Sequence, residues 1–413
     1  MQKEPERSSV SYWQSTLAAY PLETTPPTIA DVVVVGGGVL GCSAAYWLAR
    51  AGLHPVLLEQ SAVAYGATGR NGGFISYHSA LGFLAENELL GHQTALAILH
   101  LTRENQRLLR QILEEEQLDC QYREPGIISL ALNESQREHM ARNVAALQAE
   151  GMRIHLLDRQ GLQEYIATEL GPEIVGGELY AEAGLIHSGR LVQGLAQAAQ
   201  RHGARLYQAT VRQVQTSGNT VRLDTEHGTL EARAAIIATN AWTANLLPAL
   251  RGLVVPVRGQ ALSYAPREPV FHTGLGAGVT ATGEYWQQTI DGSLLLGGCR
   301  EVAPEQDKGV TIQQPTAEVQ QALEQVFPRL FPRLQGLQVQ RRWAGLMAFT
   351  PDYLPIIDQA PEMSTVWAGC GFCGHGMPFG IRVGQLLAQA VQHGSTLEEL
   401  APFSLRRPSL KRS

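Results

Sequence analysis

Charge, cysteine and aromatic residues are all scarce in this chain, and long apolar runs are missing. Of 413 residues only 17% are charged and 7% aromatic. The charge balance is slightly acidic, −6 at neutral pH with a pI of about 6.1, which argues against nucleic acid as a main partner. Five cysteines, an odd count, are scattered without a regular disulfide framework, which suits a reducing compartment or simple indifference to redox state. No apolar stretch reaches membrane-spanning length. The polar opening, with Lys3, Glu4, Glu6 and Arg7, does not read as a secretory leader. A cytoplasmic location is expected, with peripheral membrane contact left as an option. There is no internal repeat.

Glycine, in contrast, is plentiful at 42 residues, and 44% of the chain is apolar. That suffices for a large core and two or three structural units. The most informative glycines follow Asp31–Val35, a β-branched run suited to a buried parallel strand. Gly36, Gly38 and Gly41 have G-x-G-x-x-G spacing, a helical stretch runs from Val39 to Ala51, and Gly52 stops it. Val56–Leu58 is the next strand, ending at Glu59. Gly36 permits the tight turn, Gly38 lets a pyrophosphate approach the backbone, and Gly41 lets the helix pack on the strand. The helix N-terminus offers free N–H groups and positive dipole to phosphates, and Glu59 can accept hydrogen bonds from a ribose. A dinucleotide site is the expectation, with Val39, Leu40 and Gln60 beside it.

Ser61–His78 is rich in glycine and small polar residues and reads as a long loop of functional type. Helices are predicted over Ala85–Gln117, Glu134–Glu150, Arg190–His202, Thr316–Phe327 and Gly376–His393. Predicted strands include Ile127–Leu132, a meander of Arg205–Gln208, Val211–Gln215, Thr220–Asp224 and Thr229–Glu231, then Ala234–Ala238. A larger antiparallel sheet is predicted from Val254–Ala265, Ala277–Thr289 and Ser293–Gly297, with Val339–Phe349 and Thr365–Ala368 later. The fold class is α/β: a discontinuous Rossmann-type domain with an antiparallel, sheet-rich substrate or cap domain. The expected division is a lead-in over 1–28, a dinucleotide domain over 29–80, 150–250 and 338–400, and a cap over 81–149 and 251–337. A ligand would sit between them.

Three segments carry a resemblance. Tyr12-Trp13, the loop Gly66-Ala67-Thr68-Gly69-Arg70-Asn71-Gly72-Gly73 and the late Gly371-Phe372-Cys373-Gly374-His375-Gly376 are similar to motifs of the glycine/D-amino-acid oxidase superfamily of FAD enzymes, in particular its γ-glutamylputrescine oxidase-like branch. The likeness covers nearly the whole chain. It implies an FAD flavoprotein. The loop with Thr68, Arg70, Asn71, Gly72 and Gly73 would line the pyrophosphate and one side of the flavin, with Arg70 offering a forked cation. Gly374, His375, Gly376 and Met377 would face the flavin edge where negative charge accumulates on reduction, so His375, Gly376, Met377 and Arg70 are the expected catalytic group. Val211, Thr239 and Asn240 would contact the adenosine or phosphates.

The departures from the family are instructive. Gly345 stands where sarcosine oxidase-like members carry a flavin-linking cysteine, so noncovalent FAD is expected. Met347 replaces an arginine that clamps substrate carboxylates, and Pro378 replaces a lysine with a similar role. Arg70, Arg258 and Arg342 are candidate substitutes, but the simpler expectation is a substrate lacking a carboxylate next to the reacting amine, as in the putrescine-derivative branch. Leu295 falls where a lysine assists reaction with O2, so O2 or another electron acceptor is expected. Tyr285 and Trp286 are candidate substrate-facing aromatics. Cys370 and Cys373 have C-x-x-C spacing, but His375 alone does not complete a ligand set and no metal is expected.

The leading expectation is hydride transfer from a primary or secondary amine to flavin N5, giving an imine that hydrolyses. The alternatives are a D-amino-acid, glycine or N-methyl-amino-acid oxidase or dehydrogenase with a relocated carboxylate anchor, and a flavin-binding protein without turnover. A nicotinamide-linked dehydrogenase would not need the late G-H-G segment.

Overall fold

A computed structural model describes residues 9–411; the first eight residues of the expected lead-in lie outside the described residues. Two eight-stranded sheets organise the chain. In the first, Ile29–Val35 runs parallel between Val56–Glu59 and Gly228–Ile237, flanked by Arg205–Gln208 on one side and by Val366–Cys370 and Ile356–Gln359 on the other. The valine run explains the central position. Val32 and Val34 enter the core on one face, Val33 and Val35 the core on the other, and all four are at most 4% exposed.

Gly228–Ile237 is a single strand where two short ones were expected. Its first half pairs antiparallel with Thr220–Thr225 and its second half parallel with Ile29–Val35. The charged residues Glu231 and Arg233 alternate outward, which broke the apolar signal without breaking the strand.

The second sheet has the order Val339–Phe349, Val255–Tyr264, Leu294–Gly297, Glu284–Gln288, Gly274–Ala277, Ile127–Ala131, Gly176–Tyr180 and Ile154–Leu157. The expected strand Ala277–Thr289 is thus two strands, with a turn at 278–283 between them. Ile154–Leu157, Gly176–Tyr180 and Val339–Phe349, grouped by sequence with the dinucleotide unit, are hydrogen-bonded in this sheet. One face packs on an aromatic core of Trp286, Phe271, Phe327 and Phe331.

Two further expectations shift. The long helix divides into Phe83–Leu90 and His92–Glu115 because Gly91 takes φ 84°. The closing helix is Gly380–His393, four residues later than expected, with 376–379 forming a turn before it. This helix crosses Val39–Arg50 at close range. Ser43 Oγ donates to the Ile381 carbonyl at 2.9 Å, and a β-carbon on Gly380 would lie 2.7 Å from Val39. The crossing sets the N-terminal ends of both helices side by side. Among the described residues no helix is long and apolar enough to cross a membrane.

Candidate active site

Between the two sheets lies a cavity of about 1240 Å³, larger than the roughly 300–1,000 Å³ that drug-sized ligands occupy. It has room for a long cofactor and a small second molecule. Every residue expected at the cofactor lines it except Gly41. Gly41 lies behind the wall, where a β-carbon would fall 1.9 Å from the Gly36 carbonyl oxygen. Its role is the close packing of helix on turn.

At the first-sheet end, Gly36 has φ 111°, and a β-carbon there would meet the Ala238 carbonyl at 2.6 Å. The helix Val39–Arg50 starts at Gly38 without a side-chain cap. Thr68 Oγ1 accepts from Val39 N at 3.2 Å, and Gly38, which lines the cavity, has no acceptor for its amide among the described residues. Glu59 Oε2 accepts from Gly37 N at 2.7 Å and Oε1 from Ser61 N at 2.8 Å. Burial raises the Glu59 carboxyl and these main-chain donors pull it back. A carboxylate has about four acceptor positions, so two are left for sugar hydroxyls. Uncapped N–H groups, an open glycine and this acid fit a dinucleotide.

The glycine-rich loop forms a 3₁₀ turn, Ala67–Arg70, and a short strand, Phe74–Ile75, paired with Gly184–Leu185. Arg70 departs from its expected role as a fork for phosphate or carboxylate. Its guanidinium donates to the carbonyls of Tyr65 at 3.0 Å, Ala344 at 2.9 Å and Ser9. Its stem covers Gly345, and Trp343 Nε1 donates to the Arg70 carbonyl at 2.9 Å. Arg70 therefore bolts the loop to the strand Val339–Phe349. Trp13 Nε1 donates to the Asn71 carbonyl at 2.6 Å from the other side.

The segment Gly374–Met377 borders the cavity. The amides of Gly374, Gly376 and Met377 have no acceptor among the described residues, while His375 N donates to Phe372 O at 2.8 Å. A residue invisible to the motif reading organises this segment. Asn105, fully buried in the helix His92–Glu115, accepts from the amides of Ile381 and Arg382 and donates to the Met377 carbonyl. His375 stands 5.4 Å from His78, ring centre to ring centre. Burial, reinforced by His78, pushes His375 down to about 4, and burial lowers His78 as well. The His78 Nδ1–Ser79 O contact of 2.7 Å places the proton on Nδ1 and leaves Nε2 as an acceptor. Cys370 and Cys373 are buried free thiols raised by burial, and no cluster able to hold a metal occurs among the described residues.

On the second-sheet side Tyr285 lines the cavity, flanked across the strands by Gly276 and Gly297. Trp286 does not; it points to the opposite, fully buried face, as strand alternation requires. Leu295 packs with Tyr12, Trp13, Ala261 and Trp343 away from the cavity wall. Arg258 forms a two-pronged pair with Asp307 at 2.8 Å on each arm, and Arg342 pairs with Glu324 at 2.8 Å. Neither is an anchor in waiting. Sequence reasoning missed His78, Arg300, Phe349 and Tyr353, which all line the cavity. His78 ends the glycine-rich loop and Tyr353 follows Thr350-Pro351-Asp352, so position beside a motif was the available signal.

Comparison with known proteins agrees with this geometry. The sequence profile of FAD dependent oxidoreductases matches residues 31–390. The chain is 28% identical over 398 residues to gamma-glutamylputrescine oxidoreductase of Escherichia coli (strain K12), covering 92% of this chain and 88% of that protein. It is 27% identical to glycine oxidase of Geobacillus kaustophilus (strain HTA426), over 91% of this chain and 97% of that one. The crystal structure of glycine oxidase from Geobacillus kaustophilus superposes with a TM-score of 0.80 at 24% identity, over 92% and 99% of the two chains. L-proline dehydrogenase from P. horikoshii superposes at 0.78 with 22% identity, over 92% and 98%. With the profile spanning most of its length, the chain belongs to the FAD dependent oxidoreductase (DAO) family.

Proposed function

We propose that this FAD-dependent amine or amino-acid oxidoreductase oxidises the C–N bond of a primary or secondary amine held between the glycine-rich loop and the second sheet. The first sheet and its helices form the nucleotide unit and the second sheet forms the cap. Bound noncovalently, FAD would supply the electron acceptor, with flavin N5 as the destination of the hydride from the carbon next to nitrogen. The substrate nitrogen gives up a proton, and the resulting imine takes up water and releases a carbonyl product and an amine or ammonia.

The chain's own contributions are binding, orientation and charge. Gly38 and the first turn of Val39–Arg50 hold the diphosphate, and Glu59 holds a ribose. Free amides at Gly374, Gly376 and Met377, ahead of the helix Gly380–His393, stabilise negative charge. His78 and His375 stay neutral, so neither repels a cationic substrate, and His78 keeps a lone pair at Nε2 for an amine N–H. The observation that carries this reading is the single cavity joining an uncapped dinucleotide cradle to two neutral histidines.

Anaerobic titration of the yellow holoprotein with a panel of amines and amino acids tests it. Bleaching of the flavin band by an amine is expected, and readmitted air distinguishes O2 from another acceptor. A protein that binds FAD and is bleached by no amine or amino acid would be a flavin-binding protein without turnover.

A further inference from the structure

Arg300 presents an unusual situation for an arginine. It is half-buried in the cavity wall, yet its side chain makes no ion pair and no hydrogen bond with the described residues, and its Nε is buried without a partner. Its guanidinium carbon lies 4.8 Å above the ring of Phe349, which itself meets Tyr353 edge-on at 5.8 Å. The two carboxylates lining the cavity are engaged elsewhere. Glu59 accepts from Gly37 and Ser61, and Glu284 accepts from Val279 N, Thr280 N, Thr280 Oγ1 and Cys299 N. Burial lowers Arg300, and the charge of Asp307 offsets this only in part, because Asp307 is itself held two-pronged by Arg258 and forms no ion pair with Arg300.

The backbone is bent to put Arg300 there. After the strand Leu294–Gly297, Gly298 takes φ 132° and Cys299 φ 54°, and the 3₁₀ turn Arg300–Val302 begins at once. Tyr353, edge-on to the Phe349 ring beneath the guanidinium, has φ 60°. Left-handed backbone at a cysteine and at a bulky tyrosine is uncommon and persists where the surroundings impose it, often at ligand clamps. Tyr285 completes the constellation. Its hydroxyl lies over Gly297, where a β-carbon would come within 2.3 Å, and burial pushes the phenol up to about 12, so it remains a donor.

We propose that Arg300 is the specificity residue for an anionic group on the substrate, a carboxylate that docks on its guanidinium with the hydroxyls of Tyr285 and Tyr353 beside it. The substrate class is then an amine that carries a carboxylate, in preference to a simple monoamine or diamine. A guanidinium fork stacked on an aromatic ring and lacking an acid is matched to a planar oxyanion in shape, charge and hydrogen-bond count. The substrate carboxylate supplies the direct ion-pair partner, which Asp307, engaged by Arg258, does not provide. This rests on the amine oxidoreductase reading for the substrate's other end.

Matched acids and amides test the assignment. Amino acids of one to four methylenes and their carboxamides are titrated into the holoenzyme by calorimetry and by perturbation of the flavin spectrum, along with butyrate and benzoate, which have no amine. At least one acid is expected to bind about 10- to 100-fold more tightly than its amide, the range of a charge-assisted pair. Arg300→Gln should abolish that preference, Arg300→Lys should retain part of it, and both should keep the parent's flavin content and melting temperature. An acid-to-amide ratio unchanged in Arg300→Gln, or no preference for any acid in the parent, would overturn the proposal. The amine-free acids judge Arg300 even if no amine bleaches the flavin, whereas that lack of bleaching counts against the amine reading alone.

Discussion

Asn105 holds Met377 from a distance of 272 residues along the chain: its Nδ2 donates to the Met377 carbonyl at 3.1 Å while its Oδ1 accepts from Ile381 N at 2.8 Å. One buried amide thus caps the closing helix from outside and fixes the turn whose amides face the cavity. Asn105→Ala removes the acceptor for two helix N–H groups and the donor to a carbonyl. The expected loss is roughly 2–4 kcal/mol of stability, with weaker flavin retention. Urea unfolding and absorbance at the flavin band check it; an unchanged midpoint would contradict the capping role.

The glycines of the first turn separate packing from binding. A β-carbon on Gly41 would overlap the Gly36 carbonyl at 1.9 Å, whereas one on Gly38 has only Thr68 Oγ1 nearby, at 3.3 Å. Gly41→Ala should compromise folding itself. Gly38→Ala should give a folded apoprotein with native-like circular dichroism that binds added FAD at least tenfold more weakly, because the methyl occupies the approach of the diphosphate. Equal affinity in Gly38→Ala would mean the phosphates lie elsewhere.

Arg70 is expected to behave as a structural bolt. Arg70→Lys keeps the charge but cannot reach three carbonyls at once, and each buried carbonyl left alone costs about 1–3 kcal/mol. Proteolysis within 65–73 should therefore accelerate in Arg70→Lys, and flavin affinity should fall together with thermal stability. A variant with normal stability and selectively lost turnover would instead place Arg70 in the chemistry.

Glu178 makes stability depend on pH. Burial lifts its carboxyl to about 7, against the donors Asn143 and Tyr180, from an ordinary value of 4.5. The native state then holds the proton more tightly than the unfolded chain. Stability falls as pH rises from 4.5 through 7 and is flat above, a span of at most about 3 kcal/mol. Glu178→Gln should flatten this slope between pH 5 and 8 and match or exceed the parent above pH 7. A slope that survives the substitution would assign it to other groups.

The sequence was most legible where one short segment performs one task. The β–α–β unit could be read because Val32–Val35, Gly36, Gly38 and Glu59 are local and each answers to a single physical need. The second sheet was read less well: the turn at 278–283 contains Thr280 and Thr282, which extend the β-like composition across a break. Arg70 and Arg300 show the limit at the site. Both are arginines in glycine-containing stretches, and only three-dimensional partners separate a cation holding three carbonyls from one whose side chain has no ion-pair partner among the described residues. Asn105 was illegible for the same reason, since nothing local to a leucine-rich helix signals a cap delivered to another helix.

The residues at 9–14 have a consequence for the order of assembly. Ser9 Oγ accepts from Ala344 N at 2.8 Å, and Gln14 Nε2 reaches the Tyr65 carbonyl at 2.8 Å. On the ribosome Gln14 and Trp13 can meet the loop early, but Ser9 and Arg70 must wait for Ala344 to emerge. A nascent chain therefore carries its cofactor loop fastened on one side only, and loading with FAD is expected late in synthesis or after it. Flavin starvation in a producing cell should leave a population stalled at that step, protease-sensitive near residue 70 and rescued by added flavin.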